Sequence, residues 1–263
     1  MTDASPVVPQ LYATLPTPEC YRPGHCALFL DLDGTLVEIA HDPAAVRADS
    51  ALFSLISILH AATGGALALI SGRPIADIDA IFKLPSLPVA GQHGAERRDA
   101  RGIRHVSGID IATLERFRTR AQAWVASHPG LMVEDKGLSL AFHFRAAPGL
   151  AQSVAQFLDA EISHASGPFQ IQSGKMVLEI RPSGYDKGRA IQEFLGEAPF
   201  AGRMPIFIGD DVSDELGFAA VNTLGGVSIK VGAEPSCARY RLPNVEGVHQ
   251  WLRNAAANCT DNA

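Results

Sequence analysis

The chain has 263 residues, 22 Lys and Arg against 28 Asp and Glu, a formal charge of −6 and 47% hydrophobic residues. That apolar content supports a sizeable core and excludes a disordered polymer, while the acidic balance excludes general binding to nucleic acid or anionic membranes, which needs a basic face. At ~100–200 residues per domain the length suits one large domain or two modest ones.

The first residues, MTDASPVVPQLYATLPTPEC, lack the basic start and continuous apolar stretch of a signal peptide. No apolar run reaches the ~18–20 residues of a membrane helix, so a cytoplasmic protein is expected. Cys20, Cys26, Cys237 and Cys259 form no CxxC pair and read as incidental reduced thiols. Residues 1–24 hold five of the seventeen prolines and read as a mobile leader or extended arm. The C-terminal NAAANCTDNA is expected to fray.

Between these ends, strand and helix patterns alternate. CALFLDLD is a buried strand ending in acids. Ser50 can cap a helix burying Leu52, Leu55, Ile56 and Leu59, stopped at Gly64-Gly65. ALALI is a second strand, running into Ser71-Gly72-Arg73-Pro74, where proline suits the first turn of a helix. LPVAG is a third. MPIFIGDD and GVSIKVG repeat the pattern, with a helix from Ser213 to about Thr223 between them. Short apolar strands joined through helices predict a parallel sheet covered on both faces.

The middle reads differently. A helix from Asp110, with Leu114, Phe117, Ala121, Trp124 and Val125 on one face, ends at Pro129-Gly130. The strands LMVEDK and SLAFHFR follow. A second helix, from about Pro148 to His164, leads to FQIQS and MVLEIRP. Helix–strand–strand, twice, predicts an antiparallel sheet with both helices on one face. The expected fold class is α/β: a Rossmann-like core at 25–105 and 183–255, with an α+β domain inserted at 106–182.

In open parallel sheets, ligands bind outside the carboxyl ends of the strands. Asp31-Leu32-Asp33-Gly34-Thr35, Ser71-Gly72-Arg73 and Gly209-Asp210-Asp211 all fall there, and Tyr185-Asp186-Lys187-Gly188 opens the helix before the last. Crowded carboxylates need a cation, and an all-oxygen set suits Mg²⁺. A screened Asp can attack phosphorus, a second Asp on the same side can serve as acid then base, and Ser71 and Lys187 can hold the transferring phosphoryl oxygens. Taken singly, Ser71 reads equally as a helix cap, Lys187 as a surface charge and GDD as a turn. DxDG lacks the spacing and bidentate acid of a calcium loop, and the nine histidines show no zinc spacing.

These four motifs, in this order, resemble those of the haloacid dehalogenase superfamily phosphatases. LFLDLDGTL, ISGRP, GQHGAE, VEDKGLSLAFHFR, GKMVLEIRPSGYDKGRAI, FIGDDVSDE and the VNTLGGVSIKVG tail extend the resemblance to the trehalose-6-phosphate phosphatases. The resemblance implies a C2-type cap domain and a Mg²⁺-dependent hydrolysis of trehalose 6-phosphate. It implies Asp31 as nucleophile and Asp33 as acid and base. Asp31, the Asp33 carbonyl and Asp210 would bind the metal, with Asp211 close by. Ser71, Lys187 and Arg73 would grip the phosphoryl group. Glu134, Lys136, Arg145 and Glu179 would hydrogen-bond the disaccharide; on residues alone they suit a surface ion-pair cluster as well. His93 reads as loop-fixing, and the roles of His143 and Asp214 stay open. Hinges are expected near Gly108 and around Pro182 to Gly184.

Another sugar phosphate, such as a sucrose or hexose phosphate, is the nearest alternative substrate. A phosphomutase would share the nucleophile but return the phosphoryl group. A non-catalytic regulatory module conflicts with the presence of nucleophile, acid, phosphate grip and metal acid together. No obligate protein partner is implied.

Overall fold

A computed structural model describes residues 24–40, 46–106, 108, 110–165, 167–174 and 176–260. The proline-rich leader, apart from Gly24, lies outside them. The chain divides into two compact units, Met1–His105 with Asp186–Ala263, and Val106–Tyr185.

In the first unit, β1 (Cys26–Leu30), α1 (Ser50–Ala62), β2 (Leu67–Ile70), α2 (Ile75–Phe82), β3 (Val89–Gly91), β4 (Glu96–Arg98) and β5 (Arg104–Val106, ending at the boundary) come first. The intervening unit holds α3 (Ile111–Ala126), β6 (Met132–Asp135), β7 (Leu140–His143), α4 (Ala151–Ser163), β8 (Phe169–Gly174) and β9 (Val177–Pro182). The first unit then resumes with α5 (Lys187–Leu195), β10 (Met204–Gly209), α6 (Glu215–Thr223), β11 (Val227–Val231), β12 (Tyr240–Leu242) and α7 (Val245–Thr260).

The larger sheet runs β12-β11-β10-β1-β2-β3-β4-β5. The pairs from β12 to β3 are parallel, and β4 turns back antiparallel on β3. Strand alternation sends Leu28, Leu30, Leu67, Leu69, Ile206 and Ile208 to one face, against α1, α2 and α7. Ala27, Phe29, Ala68, Ile70 and Phe207 go to the other, against α5 and α6. Both faces are covered, so the strands read as continuous apolar runs. Parallel β1 and β10 thereby end side by side, Leu30 opposite Ile208, and present their next residues together at one edge.

Three local details differ from the sequence reading. Asp49, not Ser50, caps α1: its carboxylate accepts the Leu52 N–H at 2.7 Å, and the charged oxygen suits the helix start. The expected helix from Ser213 begins instead with a short 3₁₀ turn over Val212–Asp214 before α6. The C-terminal segment, expected to fray from Asn254, continues α7 to Thr260, with Ala255 and Ala256 buried beside Trp251 and Leu252 on the core.

The smaller sheet runs β6-β7-β9-β8, all neighbours antiparallel. Leu140, Phe142 and Ile180 pack beneath Leu114, Phe117 and Ala121 of α3 and Val154 and Leu158 of α4. Both helices therefore cover one face. The other face carries Glu134, Ala141, Glu179 and Gln172 in a row across all four strands, each opposite the next in register.

Candidate active site

Asp31 follows β1 directly and is 4% exposed. Its N–H donates to the Ile208 carbonyl, which carries the sheet pairing one residue beyond the strand and fixes where the carboxylate emerges. Lys187, at the start of α5, is buried and donates from Nζ to Asp31 Oδ1 at 2.7 Å and to Asp214 Oδ1 at 2.6 Å. Asp186 caps that helix by accepting the Arg189 N–H at 2.8 Å, so the turn holding Lys187 is set locally. The Thr35 hydroxyl lies 3.3 Å from Asp31 Oδ2 and 3.4 Å from Asp210 Oδ1.

Asp210 follows β10. Oxygens of Asp31, Asp210 and Asp214 lie within 4.8 Å of one another. Asp214 is fully buried, and its Oδ2 accepts the N–H groups of Asp210 at 3.0 Å and Asp211 at 2.8 Å. One carboxylate thus holds both the lysine and the backbone of the Gly-Asp-Asp turn. Gly34 closes the opposite side: at φ +80° it sits where an added Cβ would lie 2.2 Å from an Asp210 oxygen, so only glycine fits.

Three carboxylates crowd beside one ammonium here, which bonds Asp31 and Asp214. Burial first, then the charges of Asp214 and Asp210, raises the Asp31 carboxyl well above the usual carboxylate range, although Lys187 pulls it down. Burial and the charge of Asp214 push Asp210 up to about 6, again against Lys187. For Lys187, burial favours the neutral amine, but the Asp214 and Asp31 charges outweigh it and hold the ammonium firmly protonated. With all three carboxylates ionised, two negative charges are left unbalanced among these four side chains, which is why protons are held so tightly there. A hard divalent cation fits that deficit and that all-oxygen set.

The other expected residues are placed as follows. Ser71 follows β2 directly, buried, with its Oγ accepting the Arg73 N–H at 3.1 Å. Arg73 forks onto Asp33, with Nε to Oδ2 and Nη2 to Oδ1 both at 2.7 Å. Asp211 stays out of the trio. It caps the 3₁₀ turn in a reciprocal box with Asp214, because Asp-x-x-Asp offers each backbone N–H the other's carboxylate. His93, buried, fills the space beside Gly72, where a Cβ would meet its ring at 2.8 Å.

On the face of the smaller sheet away from its two helices, Glu134 Oε2 lies 2.9 Å from His143 Nε2. Glu179 is buried and accepts from Lys136 Nζ at 2.8 Å and Ser139 Oγ at 2.6 Å. Arg145 lies beyond β7 in a turn and is exposed. Lys230 was missed by motif reasoning. Buried on β11, it donates to the Asp210 carbonyl, and the available signal was a lysine inside the apolar run GVSIKVG.

Acids at adjoining strand ends, a buried lysine opening a helix, and an antiparallel sheet whose strands are inserted, in chain order, between those of a mainly parallel one define a haloacid dehalogenase-type fold. A solved haloacid dehalogenase-like hydrolase from B. subtilis shares it at TM-score 0.60 and 14% identity, over 86% of this chain and 99% of that one. The chain belongs to the trehalose-phosphatase family, whose model matches residues 29–246. It is 42% identical over 226 residues to a trehalose-6-phosphate phosphatase of Escherichia coli K12, covering 86% of this chain and 85% of the relative. A solved trehalose-6-phosphate phosphatase related protein matches at TM-score 0.76 and 26% identity, over 90% of this chain and 99% of that one. Among the described residues no helix is long and apolar enough to cross a membrane.

Proposed function

We propose that this chain is a Mg²⁺-dependent phosphatase of the cytoplasm that hydrolyses trehalose 6-phosphate to trehalose and inorganic phosphate. The observation that carries the chemistry is Asp31, buried between the Lys187 ammonium and the carboxylates of Asp210 and Asp214. Membership of the trehalose-phosphatase family carries the substrate.

In this reading an Asp31 oxygen bonds to phosphorus as the bond from phosphorus to the sugar oxygen breaks. The electron pair goes to the sugar oxygen, which takes a proton from Asp33. Water, deprotonated by Asp33, then attacks the aspartyl-phosphate, and the carboxylate of Asp31 leaves as phosphate forms. Ser71 and Lys187 hold the phosphoryl oxygens, where charge spreads in the transition state. Asp31, the Asp33 carbonyl and Asp210 would hold the cation, which when bound screens the carboxylates and the phosphoryl charge. Asp214 serves as their support: its oxygens already accept from Lys187 and two backbone N–H groups. The unit Val106–Tyr185 acts as the cap, hinged near Gly108 and around Pro182 to Gly184. Its polar face, with Glu134, Lys136, Glu179 and Arg145, binds the sugar hydroxyls.

The test is phosphate release from a panel of sugar phosphates with Mg²⁺ or EDTA. Strong preference for trehalose 6-phosphate, lost with EDTA, is expected. Metal-dependent release from sucrose or hexose phosphates instead would overturn the substrate and keep the chemistry. For the cap, Glu179→Gln is expected to raise KM for trehalose 6-phosphate about tenfold or more, since a hydrogen bond to a charged group contributes ~1.5–3 kcal/mol. An unchanged KM would remove Glu179 from the sugar site.

A further inference from the structure

Arg73 is mounted on a backbone fixed at several points. Its N–H donates to Ser71 Oγ at 3.1 Å, and its carbonyl accepts the Gln92 N–H at 2.9 Å. A Cβ on Gly91 would come within 2.9 Å of that carbonyl, and one on Gly72 would meet the His93 ring, so chain and loop are in close contact on both sides. From this base the guanidinium reaches Asp33 with two parallel bonds of 2.7 Å, one to each carboxylate oxygen. The Arg73 side chain is 13% exposed, and that of Asp33 is 33% exposed.

An aspartate that open to solvent has several rotamers available, and holding it in one costs conformational entropy. A fork on both oxygens fixes the plane of the carboxylate as well as its position, which a single point charge does not. The sequence reading placed Arg73 among the phosphate-gripping residues. In the structure its donors meet the carboxylate proposed to protonate the leaving oxygen.

We infer that Arg73 is the positioning residue of Asp33: it orients the acid–base carboxylate and acts on the reaction through it, more than through the phosphoryl group. This rests on the proposed role of Asp33. The step affected is breakage of the bond from phosphorus to the leaving oxygen, where the electron pair and the Asp33 proton arrive together. A sugar alkoxide needs that proton; a nitrophenolate leaves without it. The two effects of Arg73 therefore separate by leaving group. Help through Asp33 matters for trehalose 6-phosphate and little for p-nitrophenyl phosphate, whereas help through the phosphoryl group matters equally for both.

The experiment measures kcat/KM, which covers every step through release of the leaving group, for both substrates in wild type, Arg73→Lys, Asp33→Asn and the double variant. Arg73→Lys keeps the charge and removes the fork. It is expected to lower kcat/KM on trehalose 6-phosphate by about 10–100-fold, the scale of a misplaced catalytic group, and on p-nitrophenyl phosphate by less than about threefold. In the Asp33→Asn background the same change is expected to add almost nothing, because residues acting as a unit are not additive. Circular dichroism checks the fold, and Arg73→Gln serves the same comparison should the lysine variant not fold. Equal losses on both substrates, no loss, or a full further loss in the Asp33→Asn background would overturn the inference. Failure of Asp33→Asn itself to discriminate between the leaving groups would overturn the role of Asp33, and the inference with it.

Discussion

Asp31→Asn is expected to lower kcat on trehalose 6-phosphate by about 10⁴–10⁶-fold, the scale seen when a covalent catalyst loses its nucleophile. The carboxamide matches the carboxylate in shape, and its oxygen can still accept from Lys187, which also keeps Asp214. What it lacks is the charged oxygen that bonds to phosphorus. The fold is expected to persist. Burial and the neighbouring carboxylates disfavour the charge on Asp31 in the metal-free protein, and a neutral side chain relieves that cost. Circular dichroism and the thermal midpoint in EDTA check this alongside phosphate release. An unfolded variant would turn Asp31 into a structural residue, and retained turnover would remove it as nucleophile.

Much of this arrangement was legible because parallel strands announce themselves. CALFL, LALI and MPIFIG are apolar runs with polar ends, and a sheet covered on both faces leaves such ends as the ready place for charged groups. Asp31, Lys187 and Asp210 fall together at one edge, and Ser71 follows the strand paired beside β1. Contacts depending on side-chain direction were not legible. Nothing in SGRP says that Arg73 turns toward Asp33, forty residues away, nor in GDDVSD that Asp211 turns to the helix start while Asp214 turns inward. The strands β4 and β5 were also not readable. ERR and RHV carry charge where strands usually carry apolar alternation; β5 is exposed, and the burial of Arg97 and Arg98 in β4 depends on distant partners. Arg98 forks onto Asp79 at 2.8 Å, and Arg97 meets Glu193 and Glu197 beside the Phe194 ring. A buried arginine is tolerated where a carboxylate comes to meet it, and that carboxylate is invisible in the local sequence.

Lys187→Met, which keeps the length and loses the charge, is expected to cost the metal-free protein about 3–5 kcal/mol of stability near neutral pH, the scale for stranding a buried partner charge. Asp31 and Asp214 would both lose the ammonium they share. The size of that loss should depend on pH, and the sign follows from Asp210 and Asp31. Both carboxyls titrate above their ordinary value of 3.8, Asp210 near about 6, because burial and like charge favour the protonated form. A group that holds its proton more tightly when folded adds stability as pH falls from above its folded pKa toward its unfolded one. Lys187 opposes this by lowering both values, so its removal raises them further and widens the window. Acidification from about pH 7.5 to about pH 5 should then recover part of the deficit, as protons take over the compensation the ammonium supplied. Urea denaturation of both proteins in EDTA at the two pH values measures it. A deficit of constant size would mean that Lys187 stabilises the fold by packing, and that its charge is not what holds the three carboxylates together.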